Sequence, residues 1–319
     1  MQITTHDGPD ALVLNQVPDP SPAPDQVLID VRAAGVSFPE VLQSRGKYQI
    51  NPDLPFVPGS EVAGIVLEAP ADATVQPGDR VAAFSGLGGF AERAVASSDL
   101  VFPLPANLSF EEGAAVPLNY LTAHFGLMVR GGLVHGETVL VQGAAGGVGT
   151  ASIQMAKAYG AGRVIAVTST AAKAEVALAA GADDVVGAED FKDRVKELTE
   201  GRGVDLVVDP VGGDRFTDSL RCLAEFGRLL VIGFTGGEIP MVKVNRLLLN
   251  NVTVVGVGWG ASVLGKPGYV ADEWAEILPL LESGALTPPV GASLPLERAA
   301  EALQLIDGRG ATGKVVLTP

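Results

Sequence analysis

The chain has few of the residues that most often build cross-links and metal sites. Cys222 is its only cysteine, so neither an intramolecular disulfide nor a cysteine zinc cluster can form. The three histidines, His6, His124 and His135, are too few and too ill-spaced for a metal site of their own. Lysine and arginine number 22 against 37 aspartates and glutamates, which gives a net charge of −15. Such an acidic chain repels phosphate backbones, so a nucleic acid partner is not expected.

Long hydrophobic runs are also absent. Glycine, proline or charged residues interrupt every apolar stretch before it reaches transmembrane length. The first residues, MQITTHDGPD, lack the basic and apolar regions of a signal peptide. The hydrophobic content of 47% over 319 residues is ample for large cores and argues against disorder. We therefore expect a soluble, cytoplasmic, globular protein of about two domains.

The first 120 residues or so are rich in predicted strands. Val27, Ile29 and Val31 alternate with other side chains, as in a half-buried strand. Further short apolar runs are separated by turns that contain glycine or proline, and they lie at Val62–Leu67, Arg80–Phe84 and Phe90–Val95. This part of the chain is expected to form a β domain.

From residue 122 onwards, predicted strands alternate with predicted helices. The strands lie at Thr138–Val141, Arg163–Thr168, Asp184–Val186, Leu206–Asp209, Arg228–Gly233 and Val252–Val257. The helices lie at Thr150–Tyr159, Ala171–Ala180, Phe191–Thr199 and Arg215–Ala224. The alternation predicts an α/β fold with a doubly wound parallel sheet, a Rossmann domain, over residues 122–258. After a further helix at Asp272–Ser283, the last strand, Lys314–Leu317, has no parallel strand to join in sequence, and we expect it to return to the N-terminal β domain.

A glycine-rich turn follows the first of these strands. The segment Val139–Gly149 reads VLVQGAAGGVG, and it has Ala144, Gly146 and Gly149 at the spacing of a dinucleotide-binding fingerprint. Gly146 lets the backbone approach a pyrophosphate, and Gly149 lets the helix pack close to the strand. A simple strand–helix turn of small residues is the alternative. The strand, turn, helix and second strand together favour dinucleotide binding.

The end of the second strand indicates which dinucleotide is bound. A domain that prefers NAD usually has Asp or Glu about 20 residues after the turn, where it binds the ribose 2′-hydroxyl. No carboxylate occurs from Val164 to Ala174, and Ser169 and Lys173 stand there instead. Lys173 can offer charge to a 2′-phosphate, although a solvated lysine on the first turn of a helix is the alternative. The missing acid favours NADPH.

Seven segments of the chain resemble motifs of one known family: GPDAL (Gly8–Leu12), AAGVSFPEVLQSRGKY (Ala33–Tyr48), LPFVPGSEVAGIV (Leu54–Val66), LTAHFGL (Leu121–Leu127), GAAGGVG (Gly143–Gly149), VDPVGGDRF (within 204–216) and FGRLLVIGF (Phe226–Phe234). With them, nearly the whole chain resembles the zinc-independent NADPH:quinone oxidoreductase branch of the medium-chain dehydrogenase/reductase family, which includes zeta-crystallin. The resemblance implies a GroES-like β-barrel domain built from both chain ends (residues 1–121 and 259–319), beside the Rossmann domain, with NADPH in the cleft.

The same resemblance implies the cofactor contacts. Residues 38–42, with Thr122 and Phe125, would line the nicotinamide and its ribose, and Gly147 and Val148 would lie on the pyrophosphate. Four further residues would border the path from the adenosine to the nicotinamide: Pro210, Gly233, Phe234 and Gly256. Ser169, Lys173 and Arg309 would meet the 2′-phosphate. The full predicted set is Phe38, Glu40, Leu42, Thr122, Phe125, Gly146, Gly147, Val148, Ser169, Lys173, Pro210, Gly233, Phe234, Gly256 and Arg309.

The chain departs from the family pattern at several positions. Ser37 and Glu40 replace the usual Asn and Asp, and Ala188 replaces a Tyr that often helps to hold the 2′-phosphate. Zinc-dependent relatives carry Cys and His at the positions of Ser37 and Ser60, and a further Cys near Leu118. Because all three ligands are absent, no metal is expected.

Three functions agree with these features. The first is hydride transfer from NADPH to a quinone, which is already electrophilic and needs little more than correct positioning. The second is reduction of an enoyl substrate, an α,β-unsaturated carbonyl or thioester, in which Tyr48 matches the position of a proton-donating Tyr in related 2-enoyl reductases. Tyr48 can equally be a wall of the pocket. The third is a structural protein that binds NADPH without turnover.

The last predicted Rossmann strand also suggests a partner. Asn251–Val257 is apolar and comes last in the sheet, so its edge is open to a second copy across a two-fold axis. Relatives dimerise in this way, and we expect a homodimer.

Overall fold

The computed structural model describes residues 1–263 and 265–319, and it divides the chain into two compact units. The first unit joins Met1–Leu118 to Lys266–Pro319, and the second is Asn119–Gly265. Both ends of the chain therefore belong to one unit. Among the residues described, no helix is long and apolar enough to cross a membrane.

The strands of the described residues are β1 (Gln2–Ile3), β2 (Leu12–Val13), β3 (Gln26–Val36), β4 (Glu61–Glu68), β5 (Arg80–Phe84), β6 (Arg93–Ser97), β7 (Val101–Pro103), β8 (Thr138–Val141), β9 (Arg163–Thr168), β10 (Asp184–Gly187), β11 (Val204–Asp209), β12 (Leu223–Val231), β13 (Thr253–Gly256), β14 (Val290–Pro295) and β15 (Lys314–Thr318).

The α-helices are α1 (Phe38–Gln43), α2 (Phe110–Gly113), α3 (Pro117–His124), α4 (Gly147–Ala158), α5 (Ala171–Ala179), α6 (Phe191–Leu198), α7 (Phe216–Arg221), α8 (Asn245–Asn250), α9 (Trp259–Val263), α10 (Tyr269–Glu282) and α11 (Ala299–Asp307). Helix α3 continues directly into a π-helical stretch at Phe125–Arg130.

The first unit is built on a sheet with the strand order β14-β15-β3-β4-β5-β7, and β6 also pairs with β3. Strand β15 runs antiparallel to β3, which confirms that the end of the chain returns to the N-terminal β domain. The apolar side chains of β3 share one core with Val315 and Leu317 from β15. Each large apolar side chain buried in this way contributes about 1.5–3 kcal/mol.

The second unit holds a parallel six-stranded sheet with the order β10-β9-β8-β11-β12-β13. Numbered from β8 as strand one, this order is 3-2-1-4-5-6, the order of a Rossmann fold. After β8 the chain forms β9 and β10 on one side of β8, and it then crosses to form β11 on the other side. Ligands of such sheets bind beyond the carboxyl ends of the strands, where the order reverses. The predicted fold class is thereby confirmed.

Two expectations about local structure were wrong. The predicted helix at Arg215–Ala224 is shorter, because α7 ends at Arg221 and β12 begins at Leu223, which pairs with Val204. Strand β15, expected to lack a parallel neighbour, runs parallel to β14. Most residues of β14 are partly or fully exposed, so the segment carries no clear apolar pattern from which a strand could be predicted.

Candidate functional site

The glycine turn lies directly beyond the carboxyl end of β8. Gly143 has a φ of +57°, in the left-handed region, so the glycine that the tight turn requires is Gly143, and Ala144 is accommodated beside it. A Cβ atom on Gly149 would collide with the carbonyl oxygen of Gly143, which explains why this helix can pack close to the turn only with glycine at position 149.

The first turn of α4 leaves its amino end open to a ligand. Gly146 is the N-cap residue and has no side chain to accept hydrogen bonds from the first N–H groups, and no acidic residue lies in the first turn. The unpaired N–H groups and the helix dipole both favour an anion at this end. The arrangement fits the diphosphate of a dinucleotide.

Ser169 and Lys173 come together beyond the carboxyl end of β9, the strand beside β8. Thr170 caps α5 by accepting a hydrogen bond from the backbone N–H of Lys173 at 3.3 Å. The Lys173 ammonium lies 3.5 Å from the Ser169 hydroxyl. The loop therefore presents a hydroxyl and a positive charge, with no carboxylate, where a 2′-phosphate would be bound. Arg309, the third residue predicted for this role, is an exposed residue of the first unit and follows α11.

The remaining predicted contacts of the second unit also follow its strands. Pro210 comes after β11, Gly233 and Phe234 come after β12, and Gly256 is the last residue of β13. Because parallel strands end at the same edge of a sheet, these residues share the edge that carries the glycine turn.

Asp209, the last residue of β11, is almost fully buried at this edge. Its Oδ1 atom accepts hydrogen bonds from the backbone N–H groups of Val211 at 2.9 Å and Gly212 at 2.8 Å. Burial raises the pKa of the Asp209 carboxyl above its usual value. These two hydrogen bonds fix the conformation of the turn after β11, so the observed role of Asp209 is to hold this turn at the carboxyl edge of the sheet.

In the first unit, five polar residues form a buried polar cluster: Ser37, Glu40, Ser60, Glu61 and Lys314. The cluster joins the start of α1, the start of β4 and the first residue of β15. One half of it is centred on Glu40 and the other on Glu61.

Glu40 is completely buried, and both of its carboxylate oxygens are used within the protein. It accepts a hydrogen bond from the backbone N–H of Ser37 at 3.0 Å, which forms the capping box of α1. It also accepts hydrogen bonds from Ser60, from the backbone N–H at 3.0 Å and from the hydroxyl at 2.6 Å. Burial raises the pKa of Glu40. These contacts support the start of α1, and the predicted contact of Glu40 with the cofactor stays a prediction.

Lys314 is the cation of the cluster. Its ammonium forms an ion pair with Glu61 and donates a hydrogen bond to the Ser37 hydroxyl at 2.6 Å. Glu61 also accepts a hydrogen bond from the backbone N–H of Leu118 at 2.8 Å. The side chains of Lys314 and Glu61 are 3% and 0% exposed, so neither charge is solvated. Lys314 was not predicted as a site residue. It is the first residue of the apolar strand KVVLT, and a charged side chain at the start of a buried strand indicates a buried ion pair.

This cluster does not fit a zinc ion. Ser37 and Ser60 stand where zinc-dependent relatives have ligands, and their hydroxyls are already bonded to Lys314 and Glu40. A buried ammonium beside Ser37 would also repel a second cation. Within the part of the chain that the structure describes, no group of three His, Cys, Asp or Glu residues could hold a metal.

The other predicted residues of the first unit lie around α1. Phe38 and Leu42, on α1, are partly buried, as is Tyr48 in the loop after it. Burial and the nearby charge of Glu40 raise the pKa of the Tyr48 hydroxyl. The phenol therefore keeps its proton at neutral pH. Thr122 and Phe125, by contrast, lie in the second unit and are buried on α3 and its π-helical continuation.

A Rossmann sheet with an open phosphate-binding turn, combined with a GroES-like unit, defines a dinucleotide-dependent oxidoreductase. Residues 23–106 match the family model described as alcohol dehydrogenase GroES-like domain, and residues 147–283 match that described as zinc-binding dehydrogenase. The chain belongs to the medium-chain dehydrogenase/reductase family, among its quinone oxidoreductase-like members.

Three similar proteins illustrate the match. The quinone oxidoreductase-like protein 2 homolog of Nematostella vectensis is 38% identical over 297 residues, which cover 92% of this chain and 81% of that protein. The mycobacterial protein Rv1454c, solved in complex with NADPH, is 36% identical with a TM-score of 0.93, covering 100% of this chain and 98% of that one. The quinone oxidoreductase of Thermus thermophilus, also solved with NADPH, is 36% identical with a TM-score of 0.87, covering 100% and 99%.

Proposed function

We propose that the protein is an NADPH-dependent reductase that transfers hydride to a quinone without a metal ion. The observation that carries the cofactor is the carboxyl edge of the Rossmann sheet, where the uncapped α4 and the Ser169–Lys173 pair lie beyond neighbouring strands. Similar proteins solved with NADPH support the same assignment. When bound, NADPH supplies a hydride, which is two electrons and a proton.

The residues proposed to bind NADPH keep the roles predicted for them. The first turn of α4, at Gly147 and Val148, binds the diphosphate, and Ser169 and Lys173 bind the 2′-phosphate. The complete proposed set is Phe38, Glu40, Leu42, Thr122, Phe125, Gly146, Gly147, Val148, Ser169, Lys173, Pro210, Gly233, Phe234, Gly256 and Arg309. Within this set, Glu40 also fixes the start of α1.

The buried polar cluster supports a metal-free reaction, because the Lys314 ammonium is hydrogen-bonded to Ser37, one of the positions at which zinc-dependent relatives carry a ligand. A quinone does not require a Lewis acid. Hydride addition gives an anion that the ring stabilises, and protonation from water completes the hydroquinone. The protein has to orient the two reactants and exclude competing water, for which positioning alone is effective.

Oxidation of NADPH at 340 nm, measured with a panel of quinones and enones and compared with NADH, tests this function. We expect turnover of quinones, a higher kcat/KM with NADPH than with NADH, and no loss after dialysis against a chelator. Loss of activity on chelation with recovery on added zinc would contradict the metal-free proposal. Tight NADPH binding without turnover of any acceptor would favour a structural NADPH-binding protein instead.

Enoyl reduction is the second candidate, and Tyr48 is the residue that favours it. It matches the position of a proton-donating Tyr in related 2-enoyl reductases, and its phenol carries a proton at neutral pH, although burial raises its pKa and makes it a weaker acid. Tyr48→Phe removes that proton and preserves the ring. Loss of enone reduction with quinone reduction intact would support this chemistry, whereas equal effects on both substrates would assign Tyr48 to the pocket wall.

We also propose a homodimer formed through β13. This strand is at the edge of its sheet, so one side of its backbone is unpaired within the sheet. The segment before it carries an exposed apolar patch, 73–93% exposed, at Ile239, Met241, Val244, Leu248 and Leu249. Exposed apolar groups of this kind, continuous in sequence with an open strand edge, favour a second copy of the chain as the partner.

Light scattering at micromolar protein tests the dimer. We expect a dimer mass for the wild type and a monomer for Met241→Glu combined with Leu248→Glu. Val134→Glu is the matched control, since Val134 is an exposed apolar residue outside the patch, and it should remain dimeric. A monomeric wild type would refute this assembly. The cytoplasmic location expected from the sequence stays a prediction.

A further inference from the structure

Asn119, on α3, places its side-chain amide against the first turn of α4. A Cβ atom built on Gly147 would collide with the amide nitrogen of Asn119, and it would lie 3.0 Å from Cγ and 3.1 Å from Oδ1. The amide therefore fills the space that any side chain at position 147 would need. Glycine at this position allows the Asn119 amide to reach the amino end of α4.

The amide of Asn119 is nearly buried. Asn119 is only 5% exposed, and its side chain makes no hydrogen bond with any residue that the structure describes. Its amide atoms are not among the fully buried atoms that lack a partner, so they keep a small contact with solvent. A polar group with so little access to water is stabilised by a further hydrogen-bond partner. Thr122 is also buried, at 8% exposed, and its hydroxyl likewise has no partner among the described residues. Asn119 and Thr122 are three residues apart on α3, so their side chains lie on one face of this helix.

The position of this face is fixed by a neighbouring contact. Tyr120 is 1% exposed, and its hydroxyl donates a hydrogen bond to Gln154 Oε1 of α4 at 2.8 Å. This bond ties α3 to α4. The amide is consequently held beside the first turn, where the N–H groups of α4 favour the binding of an anion.

We infer that the Asn119 amide donates a hydrogen bond to the diphosphate of the bound dinucleotide. The inference rests on the proposed binding of NADPH, and it adds a residue that the sequence pattern did not indicate. The amide nitrogen is a donor beside an anion site, and a ligand there gives the buried group its missing partner. Asn119 would thus act together with the N–H groups of α4.

The test is the dissociation constant of NADPH, measured from nicotinamide fluorescence for the wild type, Asn119→Ala and Asn119→Asp. Loss of a hydrogen bond to a charged group predicts an increase in Kd of about tenfold for the alanine variant. The aspartate variant has the same shape but brings a negative charge to the diphosphate, so its Kd should rise further, and the increase should shrink at high salt.

Adenosine 2′-monophosphate, which has no diphosphate, serves as the matched ligand. Its Kd should change less than about twofold in both variants. Asn250→Asp introduces the same charge on α8, before the amino end of β13 and therefore at the opposite edge of the sheet, and it should bind NADPH like the wild type. Unfolding midpoints from circular dichroism verify that each variant is folded.

Each result separates the inference from the proposed function. If the wild type binds NADPH but Asn119→Asp binds it equally well, the inference is wrong and the function stands. If both variants lose affinity for adenosine 2′-monophosphate to the same extent as for NADPH, Asn119 has a general structural role and the inference is again wrong. A wild type that does not bind NADPH would overturn both.

Discussion

Replacement of Lys314 by methionine is the most severe test of the buried polar cluster. The substitution keeps most of the unbranched stem of the side chain and removes the ammonium that neutralises Glu61. The Glu61 side chain is 0% exposed, so water cannot replace the lost partner. Its remaining donors are the Leu118 N–H at 2.8 Å and the Ser37 hydroxyl at 3.3 Å. Removing one partner of such a buried ion pair lowers the free energy of unfolding by about 3–5 kcal/mol.

This loss is large compared with the stability of a typical domain. For a unit of 150–250 residues, 1 kcal/mol lowers the melting temperature by about 2–4 °C, which predicts a decrease of roughly 10 °C for Lys314→Met. The first unit falls in this size range. Urea unfolding followed by circular dichroism and tryptophan fluorescence measures the change in free energy directly.

Two further variants make the result specific. Lys314→Met combined with Glu61→Gln removes both charges, and it should recover most of the stability because no uncompensated charge is left. Lys157→Met breaks a pair with Asp183 in which both side chains are 37% exposed, so it should cost no more than about 1 kcal/mol. The reasoning is wrong if Lys314→Met is as stable as Lys157→Met, or if the double variant is less stable than the single one.

Three other predictions concern the cofactor, the buried acid and the thiol. Lys173→Glu should raise the KM for NADPH about tenfold or more and affect NADH much less, since only NADPH has the 2′-phosphate; equal changes in steady-state kinetics would contradict this role. Burial raises the pKa of Glu40 above 4.5, so the native state binds the Glu40 proton more tightly than the unfolded state does. The protonated group therefore stabilises the native state at low pH, and this contribution is lost as the pH rises through the pKa of the folded state. The wild type should therefore lose stability relative to Glu40→Gln as pH rises above about 4.5 in urea titrations, and a difference independent of pH would refute the shift. Burial raises the pKa of Cys222 to about 12, so a thiol reagent at pH 8 should modify it only after unfolding, and rapid reaction of the native protein would contradict its placement.

The Rossmann unit could be predicted almost completely because its signals are local. Short apolar runs such as Thr138–Val141 form buried parallel strands, and the glycines between strand and helix mark the turn. The strand order could not be derived from these runs. It depends on which strands pair across long stretches of chain, and it became known only from the structure.

The residues of the candidate site could be predicted only where the interacting side chains are close together in the sequence. Ser169 and Lys173 lie four residues apart on one loop, so their proximity follows from the sequence. Lys314 and Glu61 are 253 residues apart, and only the pairing of β15 with β3 and of β3 with β4 brings them together. Asn119 was missed for the same reason, because its significance depends on the absence of a side chain at Gly147.

The position of β15 also has a consequence for the order in which the chain is made. This strand lies between β14 and β3 in the sheet of the first unit. During translation β3 is made long before β15, so the part of its edge that pairs with β15 stays open until that strand emerges from the ribosome. The Rossmann unit is continuous in sequence and is synthesised before that strand. We therefore expect the Rossmann unit to fold before the first unit, since the sheet of the first unit cannot form completely until β15 has been made.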